Sequence, residues 1–213
     1  MTVSVILREI GRKGSNKDRI ARTVLKDPRH VDELAEGLGA REARVKYGCA
    51  RIFLILSEMR PFLVYPRIDL FLGLLESENN ILRWTAIQVI ANLALVDARA
   101  VIESHFEEFF FPIRGPALVT AANIIGAAPR IAIAKPHLAE RITEELLKVQ
   151  HARYRTAECR RVALGHTVKS LEAIYDLVVE KERVLKLVRA QTRSSRGGTK
   201  KAAERFLKKH HPQ

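Results

Sequence analysis

The side chains best placed to hold a partner recur at one helical register. Similar segments begin at Tyr47, Trp84 and Val119, spaced 37 and 35 residues apart. Aligning them puts Arg51, Gln88 and Asn123 at one position, and Arg161 lies 38 residues after Asn123. Asn92 falls one turn beyond Gln88 on the same face. Amides donate and accept, and guanidinium groups fork onto carboxylates or phosphates. A groove with amides at its centre and arginines at its edges would therefore hold a polar partner. The same row would also serve as an ordinary solvated helix face.

A few other residues could do chemistry. Trp84, the single tryptophan, offers a stacking platform for a base. Its alignment with Tyr47 and Val119 points instead to a mostly buried packing position. Gly11-Arg-Lys-Gly14 and Arg196-Gly-Gly-Thr-Lys200 are basic glycine turns of the kind that touch phosphates. Phe106, Phe109, Phe110 and Phe111 cannot all face one core, so at least one is expected in solvent or under the Pro112–Pro116 turn. The seven histidines include no His-x₃-His pair, and neither cysteine has a histidine at ligand spacing. No nucleophile elbow, Walker-type loop or dinucleotide fingerprint occurs. The expectation is no catalytic residue, no metal and no cofactor.

The net charge of +13 sits at the ends. Residues 1–30 carry +5 and residues 189–213 carry +7, which leaves the body nearly neutral. Arg193, Arg196, Lys200, Lys201, Lys208 and Lys209 are the candidate contacts to DNA or RNA, expected to be weak, non-specific and salt-sensitive. Cys49 and Cys159 read as reduced core thiols and a cytoplasmic location. No secretory signal and no membrane span are expected, since the most apolar run, Ala117 to Ala128, is too short.

These side chains need helices to position them. Apolar residues recur at three and four, as in Ile87, Ile90 and Leu93, and no segment alternates like a strand. Prolines fall where helices should start or stop, among them Pro61, Pro112 and Pro129. The spacing predicts a single domain: an N-terminal cap over 1–28, helical pairs over 29–190 and a basic C-terminal cap or tail over 191–213. The pairs are 29–38 with 41–58, 62–76 with 80–95, 98–111 with 115–128, 131–149 with 152–170, and 171–191 with 197–210. Ala86, Ala91, Ala121, Ala122 and Gly126 are small where neighbouring helices should approach closely. Gly197-Gly198 reads as a breaker, and the lysine-rich segment after it as loosely packed.

The segments Arg83-Trp-Thr-Ala-Ile-Gln-Val-Ile-Ala-Asn-Leu93 and Leu118-Val-Thr-Ala-Ala-Asn-Ile-Ile-Gly126 resemble the second helix of the HEAT-repeat family, an armadillo-type fold. Cys159-Arg-Arg-Val-Ala-Leu-Gly165 is similar in a looser way. The resemblance implies an all-α, right-handed α-α superhelix of about five antiparallel helix pairs, with Arg51, Gln88, Asn92, Asn123 and Arg161 on its concave face. It implies a non-enzymatic scaffold for a protein or peptide partner. The alternative is non-specific nucleic-acid binding through the basic ends. A third reading comes from HEAT-like proteins that are DNA glycosylases or bilin lyases, but the aligned row holds no Asp or Glu for such chemistry.

Overall fold

The computed structural model describes residues 4–210. The described residues form helices and turns with no strand, which bears out the all-α expectation. The chain divides into two compact units, Met1–Arg99 and Ala100–Gln213.

The first unit contains α1 (Val5–Gly11), α2 (Lys17–Lys26), α3 (His30–Gly37), α4 (Ala43–Met59), α5 (Pro61–Val64), α6 (Ile68–Leu74) and α7 (Asn80–Leu93). Polar side chains fix the starts. Ser4 Oγ accepts from the Ile6 and Leu7 amides, Asn16 Oδ1 from Arg19, and Asn79 Oδ1 from Ile81 and Leu82. Pro61 occupies the first turn of α5, where its missing N–H is no loss. Helix α4 is the spine: α1, α2 and α3 pack on one side of it and α7 on another. Phe53 of α4 meets Phe71 of α6 edge to face at 5.2 Å. Gly48 is needed where α1 crosses α4, because a Cβ there would lie 2.3 Å from Ile10 Cγ2.

The second unit contains α8 (Val101–Ser104), α9 (Phe106–Phe110), α10 (Leu118–Ala134), α11 (Ala139–Lys148), α12 (Ala157–Ile174), α13 (Lys181–Gln191) and α14 (Gly197–His210). The longer second helices pack in series, α10 on α12 and α12 on α14, with α11 and α13 alongside. Phe106, Phe109 and Phe110 are buried and Phe111 is exposed, as the spacing required.

Four sequence expectations need correction. Pro129 does not end its helix, and α10 runs on to Ala134. Pro129 has no N–H to give to the Ile125 carbonyl. Ser170 Oγ of α12 donates to that carbonyl instead, at 2.7 Å, so the gap in the ladder is filled from the neighbouring helix. Gly126 is exposed with nothing near it, and Ala122 is only partly covered. Ala121 is the buried position there, and the close approach on α12 is made by Gly165, where a Cβ would lie 2.6 Å from Thr199 Oγ1. Finally, Gly197 and Gly198 form the first turn of α14. That helix is not loose: Ala202, Ala203 and Phe206 are buried, and the Phe206 ring stands against Tyr175 and His210.

Ion pairs link successive helical segments within both units. In the first, Asp32 meets Arg67 and Asp69 meets Arg99 at 3.7 Å. In the second, Glu103 meets Lys135 and His137, Glu107 meets Arg141, Glu144 meets Arg183, Glu158 meets Arg196 and Glu172 meets Arg205. The carboxylate comes earlier in the chain and the cation later. Arg114 with Glu145 reverses the order.

Candidate nucleic-acid interface

A basic cleft opens in the first unit between the α1–α2 turn and the exposed side of α4. Local chemistry builds the turn. Gly14 adopts φ +76°, a left-handed conformation that glycine takes without strain. Ser15 Oγ and Lys17 Nζ each donate to the Ile10 carbonyl at 2.9 Å, which satisfies an acceptor at the end of α1. Lys17 also contacts Ser15 Oγ. Burial lowers the Lys17 pKa, partly offset by the nearby Cys49. Lys17 is therefore a brace for the turn, with its charge already used.

Arg44, Tyr47, Gly48 and Arg51 succeed one another at i, i+3, i+4 and i+7 on α4 and form the opposite wall. The cleft has a volume of about 470 Å³, and Arg12 and Lys13 of the turn complete it. No carboxylate lines it. Arg12, Lys13, Arg44 and Arg51 have no ion-pair partner among the described residues. Arg19 pairs with Glu9 at 2.6 Å and Arg29 with Asp27 at 2.8 Å. Four like charges on one concavity repel each other and raise the local potential, which an anion relieves. The Tyr47 hydroxyl accepts from Asn79 Nδ2 at 3.0 Å, so the ring is held in a fixed orientation at the cleft wall.

The remaining residues of the aligned row are engaged within the fold. Asn92 Nδ2 donates to Ser57 Oγ at 2.9 Å, tying α7 to α4. Asn123 Nδ2 donates to the Val119 carbonyl of its own helix at 2.9 Å. Arg161 Nη1 meets Glu158 at 3.2 Å. Gln88 is partly covered on α7. Arg51 is the row residue that reaches the cleft. Trp84, expected to be mostly buried, is largely but not fully covered. A ring this wide is rarely covered on all sides by one neighbouring helix.

At the C-terminal end the candidate cations differ among themselves. Arg196 is committed to Glu158, and Lys200 lies 3.9 Å from Glu204. Arg193, Lys201, Lys208 and Lys209 are exposed and have no ion pair among the described residues. Lys201, Lys208 and Lys209 stand on α14, and Arg193 lies in the turn before it.

Glu140, Glu144 and Glu180 bring three carboxylates within reach of a single cation. Arg183 occupies that place, with Nη1 on both Glu144 and Glu180, and Glu140 Oε2 accepts the Val179 amide. These pairs raise the Arg183 pKa. The group is a salt-bridge knot. Cys49 is buried, and its thiol is pushed up to about 12 by burial, so it is no nucleophile at neutral pH.

No family model and no curated protein matches the chain. Two engineered proteins of known structure are similar to it over most of its length. One is 15% identical, with 96% of each chain covered and a TM-score of 0.47. The other is 12% identical, with 96% of this chain and 98% of that one covered and a TM-score of 0.49. No helix among the described residues is long and apolar enough to cross a membrane.

Sequence reasoning picked out Arg51 and the Gly11–Gly14 turn but did not join them, and it missed Arg44. The signal was present: Arg44, Tyr47, Gly48 and Arg51 share one helical face, and Gly48 marks where another element comes close.

Proposed function

We propose that the chain is a non-enzymatic binding module of HEAT-like helical pairs, stacked as a right-handed solenoid, and that it holds nucleic acid non-specifically by the phosphate backbone. The stacking reading draws on the pair-to-pair packing and ion-pair ladder repeated within each unit. The partner reading draws on one observation above all: Arg12, Lys13, Arg44 and Arg51, which have no carboxylate partner among the described residues, line one cleft that contains no acid. Phosphate contacts of this kind position a duplex or strand without reading its sequence.

The test is binding of mixed-sequence DNA and RNA followed by fluorescence anisotropy as salt is raised. Affinity should fall steeply, with log K linear in log salt and little difference between sequences. Binding that survives moderate salt, or that discriminates between sequences, would count against a backbone-only partner.

A protein or peptide partner is the second reading. It is favoured by the exposure of Phe62 and Leu95 in the first unit, at 76% and 73%. An acidic peptide in the basic cleft would unite the two readings, and an excess of polyglutamate in the same assay would displace nucleic acid in that case.

A further inference from the structure

We infer that the cleft between the α1–α2 turn and α4 takes single-stranded nucleic acid, with phosphates held by Arg12, Lys13, Arg44 and Arg51 and a base laid on the Tyr47 ring. This rests on the nucleic-acid reading above and makes it specific. It also moves the principal site from the C-terminal lysines to the first unit.

Three observations carry it. The first is the charge arrangement. Arg12 and Lys13 on one wall face Arg44 and Arg51 on the other, and none is neutralised by a neighbouring acid. Lysines on an open helix surface interact with phosphate through high-dielectric water, whereas facing cations on concave walls focus the field between them. The second is size. A volume of about 470 Å³ lies within the range of sites for small organic ligands. That is suited to one nucleotide entering with its base. A duplex would keep its bases stacked away from the wall and offer only a phosphate ridge. The third is the aromatic ring. Tyr47 lines the cleft, and its hydroxyl is tethered by Asn79 at 3.0 Å. A tethered ring loses little rotational freedom on stacking. Charged grooves that carry aromatic platforms are the recurring solution for sequence-tolerant single-strand binding.

The remaining contacts preserve the shape of the site. Gly14 at φ +76° sets the turn, and Lys17 with Ser15 ties it to the end of α1.

The experiment uses the full chain and a fluorescein-labelled oligothymidylate of about twelve nucleotides, within the usual site sizes, alongside its duplex with oligoadenylate. The single strand should bind more tightly than the duplex at low salt. Arg12→Gln with Arg44→Gln and Arg51→Gln should weaken single-strand binding and flatten the log K against log salt slope by about 2, three charges at roughly 0.7 each. These side chains are exposed and have no ion pair among the described residues, so the helical signal should be unchanged and the melting transition should not fall. Tyr47→Ala should cost between about 5-fold and 150-fold on the single strand and leave the slope alone. Tyr47→Phe, which restores the ring without its hydroxyl, should recover most of that loss. Lys201→Gln with Lys208→Gln and Lys209→Gln should have the smaller effect. If the cleft triple variant binds like the parent while the lysine variant loses binding, the cleft is not the site, although the nucleic-acid reading stands. Equal binding of duplex and strand, with Tyr47→Ala silent, overturns the single-strand assignment. No binding by the parent chain at low salt overturns both.

Discussion

Ser170 shows how one hydroxyl can allow a residue that the sequence rules forbid. Proline inside a helix removes a backbone donor and costs about 3 kcal/mol. Here the stranded acceptor at Ile125 is buried, and Ser170 Oγ reaches it from α12 at 2.7 Å. Ser170→Ala should leave that carbonyl unsatisfied and destabilise by about 1–3 kcal/mol. In a Pro129→Ala background the helix supplies its own N–H, and the same Ser170→Ala change should cost clearly less. Chemical denaturation of the four proteins completes the cycle. An equal cost in both backgrounds would show that Ser170 acts through something other than the proline gap. No sequence rule would have found this pair, because the partner lies 45 residues away and its contact depends on how two helices pack. The row Arg51, Gln88, Asn123 and Arg161 met the same limit. Periodicity fixes which residues share a register, but whether an amide faces a partner or bonds to Ser57 is decided by the neighbouring helix.

At the scale of elements, helix existence was legible and helix ends less so. The second helices were found because apolar residues at three and four leave a long stripe. The boundaries at Pro129 and Gly197 failed because both residues are local signals, and tertiary contacts outweighed them. Helix α14 is the clearest case. Two glycines and a run of lysines read as a loose tail, yet Phe206 is fully buried against Tyr175 and His210. Phe206→Ala should therefore cost about 3–5 kcal/mol, and a chain ending at residue 196 should expose the apolar side of α12 and aggregate or melt early. A truncated chain as stable as the parent would return α14 to the status of a tail. The ion pairs between elements also fix an acid response. Hydrogen bonds from Lys135 and His137 lower the pKa of Glu103, one from Arg141 lowers Glu107, and those from Arg196 and Arg161 lower Glu158. Arg29 holds Asp27 down to about 2. A depressed carboxylate contributes stability that is present above its unfolded pKa and lost as pH falls through the folded value. On account of these carboxylates alone the melting temperature should therefore stay level from neutral pH down to about 5, whereas His166, whose pKa burial lowers, adds an earlier loss as the unfolded imidazole takes up its proton. Below that range the melting temperature should fall as acid protonates the pairs, with the Asp27 share the last to go. A fall confined to the region near about pH 6.5 would implicate histidines alone and not these carboxylates.

At the scale of the whole chain, two electrostatic arrangements coexist and should answer differently to salt. Lys135 and Glu145 are the buried members of the ladder. Its other pairs are exposed or partly exposed and are worth no more than about 0–1 kcal/mol each. Salt weakens them, but it also screens the self-repulsion of a chain with net charge +13. These effects oppose each other in the folded protein. Binding has no such compensation, because both the attraction to phosphate and the counterion release shrink as salt rises. Raising sodium chloride from about 0.05 to 0.5 M, across the range where counterion release removes affinity, should move the melting temperature by only a few degrees. Over the same range, binding of the oligonucleotide should be largely lost. A scanning melt and an anisotropy titration in matched buffers make the comparison. A melting temperature that collapses with the binding would mean that the ladder, and not the buried seams α4–α7 and α10–α12–α14, carries the stability of the fold. A melting temperature that rises steeply would mean that self-repulsion dominates. The unpaired cations of the cleft would then contribute to that cost, and Arg44→Gln with Arg51→Gln should raise the melting temperature at low salt while weakening the grip on phosphate.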